Sequence, residues 1–190
     1  VYVHTQEQVA RARAAKQAYD AVMAGPQQVR IVPGGLAALD DAPAVGREIE
    51  GGRAFDVRLA YDDENLYVRY RVTTPNELAN AVPDDRIIFR GGNLLDIQVA
   101  AGSTADAERE SPAPGDERLL VTRRDQQPYA VLFRPRVAGF DGERIVLKSP
   151  TGQESFDAIE RVDEVGLAYR STRDGFVATV TIPKSRIALN

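Results

Sequence analysis

The 190-residue chain contains no cysteine and no tryptophan, and it has a single histidine and a single methionine. The absence of cysteine excludes disulfides, thiolate metal sites and cysteine nucleophiles. One histidine, His4, is too little material for a Ser-His-Asp triad or a histidine-built zinc site. His4 and Met23 could be considered as haem ligands, but a continuous helix would hold them about 28 Å apart, too far to share one iron.

Long apolar runs and an excess of positive charge are also missing. No stretch approaches the roughly 18 apolar residues that cross a bilayer as a helix. The chain has 24 basic and 28 acidic residues, which are well mixed, whereas a nucleic-acid footprint needs a basic excess on one face. We therefore expect no membrane span and no nucleic-acid partner. The sequence begins at Val1, and we expect it to be a piece of a longer protein.

The first part of the chain predicts a helix over residues 5–24. Thr5 can cap this helix and Gln8 completes a capping box, because the two side chains can satisfy each other's free backbone N–H groups. Gly25-Pro26 ends it, as a glycine followed by proline commonly does. We therefore divide the chain into an N-terminal helical extension at 1–32 and a β domain at 33–190.

From residue 55 onward the pattern is that of strands separated by tight turns. Apolar and polar residues alternate over 55–61 and 66–72, as in half-buried antiparallel strands. The polar cluster Asp62-Asp63-Glu64-Asn65 between them is typical of a hairpin turn. Further strands are predicted at 94–100, 118–124, 128–134, 144–148, 160–170 and 175–182. Many short strands at this spacing favour a mainly β fold, a sandwich of two antiparallel sheets.

An ordered series of motifs in this region resembles the family-9 carbohydrate-binding module and the wider DOMON-like superfamily. The motifs lie at 59–68, 72–80, 90–99, 118–122, 149–152 and 175–183. The resemblance implies a jelly-roll-like β-sandwich that binds a carbohydrate without catalysing a reaction, within a larger secreted or periplasmic bacterial protein. Sugar-binding members use paired aromatic rings, usually Trp, which this chain lacks, although Tyr can also offer a stacking surface. Other DOMON-like members bind haem.

The candidate ligand site consists of polar side chains that alternate with core residues. Tyr67, Arg69 and Arg71 face away from the core on one strand, and Asp96 and Gln98 do so on another. If the two strands share a sheet, these residues form one surface with forked donors, hydroxyl acceptors and an aromatic ring, which suits a sugar or a carboxylated glycan. The alternative is a solvated face with cross-strand salt bridges.

Acidic residues raise two further hypotheses. Asp62, Asp63, Glu64 and Asn65, with Asp40 and Asp41, could supply oxygen ligands to calcium, but acidic turns are also common without a metal. The pairs Asp84-Asp85 and Glu108/Glu110 could be compared with glycosidase carboxylates, but both pairs sit in predicted loops and nothing fixes their separation. We expect no catalytic residue and no cofactor, with calcium left open.

Three functions remain at this stage. The first is a periplasmic or extracellular carbohydrate-binding module whose partners are a carbohydrate ligand and the other domains of its parent protein. The second is an interaction or structural domain that keeps the sandwich without a sugar site, which the absence of Trp favours. The third is a haem-binding module, which the shortage of histidine and methionine disfavours.

Overall fold

The computed structural model describes residues 6–7, 9–11, 13–14, 29–49, 51–100, 111–149 and 152–187. Near the amino end, the described residues 6–7, 9–11 and 13–14 are helical. Arg11 Nη2 lies 2.7 Å from Glu7 Oε1, one helical turn away. The remainder of the helix predicted over 5–24, including His4 and Met23, lies outside the described residues.

The rest of the described chain is mainly β, as predicted. Its strands are β1 (Val32–Pro33), β2 (Val45–Ile49), β3 (Arg53–Tyr61), β4 (Asn65–Thr73), β5 (Leu95–Val99), β6 (Glu117–Arg124), β7 (Gln127–Arg134), β8 (Ile145–Ser149), β9 (Gly152–Phe156), β10 (Ala158–Arg161), β11 (Gly166–Thr172) and β12 (Gly175–Pro183). Short 3₁₀ helices form at Gly35–Asp40, Asp85–Arg90 and Lys184–Arg186.

These strands form three sheets. A six-stranded sheet has the order β1-β3-β4-β12-β11, with β2 also paired to β3. A four-stranded sheet has the order β10-β7-β6-β5, and β8 and β9 form a two-stranded hairpin. The strand pairs are antiparallel except for the short parallel pair β1–β3.

Most predicted strands are confirmed, but one predicted strand is wrong and the strands β1 and β9 were not predicted. The predicted single strand 160–170 is wrong, because β10 ends at Arg161, β11 begins at Gly166, and the two belong to different sheets. Val162 and Val165 in the connection are buried, which explains why the apolar pattern ran on without a visible break. Strand β9 was not predicted, since Phe156 is its only large apolar residue.

One hydrophobic cluster contains residues of both larger sheets. From the six-stranded sheet it takes the alternate residues of β4 and β12, which include Leu66, Val68 and Val180. From the four-stranded sheet it takes Leu119 of β6 and Leu132 of β7, which are directly paired across the strands. The alternation predicted for residues 66–72 therefore gave the correct buried face of β4.

A second hydrophobic cluster covers the other face of the four-stranded sheet. Leu120, Val131 and Phe133 of β6 and β7 belong to it, together with Phe156 of β9 and Ile88 of the 3₁₀ helix Asp85–Arg90. The rings of Phe133 and Phe156 meet edge to face with centroids 5.2 Å apart. Strands β6 and β7 are thus buried on both faces, which accounts for their unbroken apolar runs.

Removing the Phe133 ring tests whether the second cluster holds the hairpin to the sheet. Phe133 is fully buried, so Phe133→Ala should lower the free energy of unfolding by about 3–5 kcal/mol, through lost burial and the cavity left behind. Val146→Ala on β8 is the control, because Val146 is 49% exposed and should change stability by about 0.5 kcal/mol or less. Urea denaturation measures both, and similar values for the two variants would contradict this packing.

Candidate functional site

The five residues predicted to form one binding surface lie on two different sheets. Tyr67, Arg69 and Arg71 are on β4 of the six-stranded sheet, whereas Asp96 and Gln98 are on β5 of the four-stranded sheet. The expectation of a shared sheet face is therefore wrong. Alternation identifies which side of a strand is buried, but it does not identify the strand's neighbours. Whether any of the five binds a ligand stays a prediction.

Tyr67 is covered by the chain itself. Its side chain is buried in a small cluster with Leu39 and Ala60, because the 3₁₀ helix Gly35–Asp40 packs on strands β3 and β4. The Tyr67 hydroxyl donates a hydrogen bond to Asp62 Oδ2 at 2.7 Å. Tyr67 is therefore a packing residue that ties the 62–65 turn to β4, and its ring offers no open stacking surface.

The two predicted arginines on β4 differ in exposure. Arg69 Nη1 lies 2.5 Å from Asp40 Oδ1, and its Nε donates to Thr179 Oγ1 at 3.3 Å. The Arg71 side chain is 72% exposed, and its Nε lies 4.0 Å from Asp56 Oδ2. Arg69 thus secures the 3₁₀ helix to the sheet, while Arg71 remains open to solvent.

The acidic turn suggested for calcium is explained by backbone hydrogen bonding. Asp62 Oδ1 accepts from the N–H groups of Glu64 and Asn65 at 3.0 and 2.8 Å. The Tyr67 hydroxyl bond, followed by these backbone bonds, lowers the pKa of the Asp62 carboxyl below its ordinary value. Within the described ranges, no group of three or more His, Asp or Glu residues could hold a metal ion.

The suggested carboxylate pairs have a similar explanation where they are described. Asp84 caps the 3₁₀ helix Asp85–Arg90 by accepting from the Arg86 backbone N–H, and its side chain also pairs with the Arg86 guanidinium at 2.8 Å. Asp85 accepts a 2.6 Å bond from the Tyr129 hydroxyl. Glu108 and Glu110 lie outside the described residues.

A groove lies beside β5, on the face of the four-stranded sheet that carries the β8–β9 hairpin. We call it the β5–β9 groove, and its volume is about 560 Å³. It is lined by Gln98, Val99, Ala100, Pro112, Asp116, Glu117, Arg118, Pro135, Arg136, Gln153, Glu154, Ser155 and Phe156. Gln98 is the one residue of the predicted site that lines it.

Strand register explains how Gln98 comes to this groove. Gln98 is paired with Arg118, which is paired with Phe133, so the three side chains share one face of the sheet. This is the face on which Phe133 contacts Phe156 of the hairpin. Because β5 is at the end of the strand order, the hairpin cover stops near it and leaves a groove.

Ion pairs fix several of the charged side chains around the groove. Arg118 donates from Nε and Nη2 to Asp96, with the shortest contact at 2.6 Å. Asp96, predicted to contact a ligand, therefore positions a groove residue. Glu117 is 8% exposed, and its Oε1 accepts from Arg134 Nε at 2.9 Å.

The polar groove residues that sequence reasoning missed include Arg118, Arg136, Gln153 and Glu154. Gln153 and Glu154 were missed with β9, whose sequence has little apolar character. Arg136 follows the end of β7, where no periodic pattern marks it. The pairing of β5 with β6 could have pointed to Arg118, but only if the sheet membership of β5 had been known.

Comparisons with protein-family models, with curated proteins and with solved structures find no match to this chain. The resemblance to the family-9 module is therefore carried by the sequence motifs alone. Over the part of the chain that the structure describes, no helix is long and apolar enough to cross a membrane.

The Asp62–Tyr67 bond gives a prediction for the 62–65 turn. Tyr67→Phe removes the largest cause of the lowered Asp62 pKa, so that pKa should rise toward its ordinary value. A carboxyl whose pKa is lowered in the folded state stabilises the fold at pH values above its ordinary pKa of 3.8. This stabilisation is lost as the pH falls through the folded-state pKa. The variant should therefore lose less stability on acidification.

Carbon-detected NMR titration of the Asp side chains measures this pKa directly. Asp84 is the internal control, because Arg86 is the main cause of its lowered pKa and the substitution leaves that contact in place. An Asp62 pKa that is the same in Tyr67→Phe and in the parent chain would contradict the assignment.

Proposed function

We propose that the chain is a non-catalytic carbohydrate-binding module, in which the two larger sheets form a jelly-roll-like sandwich and the β5–β9 groove receives the sugar. The single observation that carries this proposal is the groove, whose polar side chains lie beside strands β6 and β7, which are buried on both faces. The motif series is the second support, because it resembles modules that bind carbohydrate without catalysis.

The groove lining has the chemistry that sugar hydroxyls require. Gln98 and Gln153 carry amides that both donate and accept hydrogen bonds, and Glu154 offers acceptors. Arg118 and Arg136 offer planar sets of donors. Pro112 and Pro135 give apolar surface on which the C–H face of a sugar ring can rest.

Among the residues that the structure describes, the groove has no exposed aromatic platform, and this shapes the expected binding. Its aromatic lining residue, Phe156, is 4% exposed because it is packed into the second hydrophobic cluster. Ring stacking therefore contributes little, and hydrogen bonds must supply most of the affinity. The same observation favours the second candidate function, an interaction domain that keeps the fold without a sugar site.

Within this proposal, the module belongs to a larger secreted or periplasmic bacterial protein. Its partners are then an oligosaccharide and the other domains of that protein. These assignments follow from the resemblance to family-9 modules. A binding module needs no nucleophile or general acid of its own, and in this proposal Asp84 and Asp85 have structural roles as acceptors for the Arg86 backbone N–H and the Tyr129 hydroxyl.

Replacement of Gln98 tests the proposed site. Calorimetric titration with a panel of short oligosaccharides should identify a ligand, and Gln98→Ala should weaken its binding about 2- to 10-fold, the loss of one neutral hydrogen bond of about 0.5–1.5 kcal/mol. Arg170→Ala is the matched control, because Arg170 is exposed on β11 and does not line the groove.

Two results would contradict the proposal in different ways. A folded protein that binds no member of a broad panel would favour the interaction domain. A ligand whose binding is insensitive to Gln98→Ala but is lost in Arg71→Ala would instead place the site on the six-stranded sheet.

A further inference from the structure

The charged residues of the β5–β9 groove differ in whether another protein group balances their charge. The Arg118 charge is balanced by Asp96 at 2.6 Å, and the Glu117 charge is balanced by Arg134 at 2.9 Å. Asp116 Oδ2 accepts a hydrogen bond from the Ala113 backbone N–H at 2.8 Å. The two ion pairs compensate the charges of Arg118 and Glu117 before any ligand arrives.

Arg136 differs from these residues. It is half-buried, and its Nη1 donates to backbone oxygen atoms of Pro135 and Ser155 at 2.5 and 3.3 Å, with the Ser155 hydroxyl at 3.4 Å. Across the described ranges it makes no salt bridge, and its Nε and Nη2 have no hydrogen-bond partner. The Arg136 guanidinium is therefore held at one nitrogen by neutral oxygens. Among the described residues, no carboxylate balances its charge, and two of its nitrogens can still donate to a ligand.

We infer that the groove selects a carboxylated sugar, with Arg136 as the residue that pairs with the carboxylate. This inference rests on the proposed carbohydrate function and names its ligand class, a uronic-acid oligosaccharide. The guanidinium Nε and Nη2 present two parallel N–H groups that match the two oxygens of a carboxylate. The contacts of Nη1 with Ser155 reduce the freedom that Arg136 would lose on binding.

Glu154 acts against an acidic ligand and so gives an independent test. It lines the groove and is exposed, and no hydrogen bond or ion pair engages its side chain within the described residues. Its negative charge should weaken binding of a uronate while its oxygens accept from sugar hydroxyls. Glu154→Gln removes the charge but keeps one acceptor oxygen.

The experiment compares two ligands that differ only in charge. Oligogalacturonate and its carboxyl-reduced counterpart are titrated calorimetrically into the full chain. We expect the parent protein to bind the acidic ligand more tightly, and added salt to weaken that ligand alone through screening. Arg136→Gln should weaken binding of the acidic ligand about 10- to 150-fold, the range expected for loss of a hydrogen bond to a charged group. It should weaken binding of the neutral ligand much less.

Three further variants make the result specific. Arg136→Lys keeps the positive charge but lacks the two parallel N–H groups, so it should retain part of the preference for the acidic ligand. It also serves as a second test if Arg136→Gln disturbs the hairpin. Glu154→Gln should strengthen binding of the acidic ligand and leave binding of the neutral ligand nearly unchanged. Arg170→Gln, outside the groove, should change neither.

The outcomes separate this inference from the proposed function. Equal binding of both ligands, each weakened by Gln98→Ala, would overturn the role of Arg136 and keep the carbohydrate site. Equal losses of both ligands in Arg136→Gln would likewise overturn it, since they would indicate a structural role. Binding of neither these ligands nor any of the wider oligosaccharide panel would overturn both proposals.

Discussion

The burial of strands β6 and β7 on both faces is the constraint on which the rest of the structure depends. Leu119 and Leu132 join the cluster shared with the six-stranded sheet, while Leu120 and Phe133 join the cluster beneath the β8–β9 hairpin. Because both faces of these strands are apolar, other parts of the chain must pack on each face and exclude water. The packing on the second face ends near β5, and the groove lies where it ends.

Two contacts hold the elements that line the groove. The hairpin is anchored by Phe156, whose ring meets Phe133 at 5.2 Å. On the sheet side, the Asp96–Arg118 pair spans neighbouring strands and holds the Arg118 guanidinium in place before a ligand binds. Preorganisation of this kind matters most where aromatic stacking is lacking, because each hydrogen bond must then contribute without a large ordering cost.

The sequence predicted the parts of the fold that are encoded locally. The hairpin of β3 and β4 and the inward face of Leu66 and Val68 were correct, because a period of two specifies both the strand and its buried side. The pairing of β5 with β6 could not be predicted in this way, since a strand shows the same alternation in whichever sheet it lies. That is why Gln98 was placed on the wrong surface. Arg136, in a connection without periodicity, gave no signal at all.

We propose that the β5–β9 groove, rather than the outer face of the six-stranded sheet, is the ligand-binding surface. Backbone-amide NMR mapping during titration with an oligosaccharide tests this most directly, because it reports on both surfaces at once. We expect the shifts to concentrate at Gln98, Gln153 and Glu154. Shifts concentrated at Arg71 and Arg170, with the groove unchanged, would contradict it.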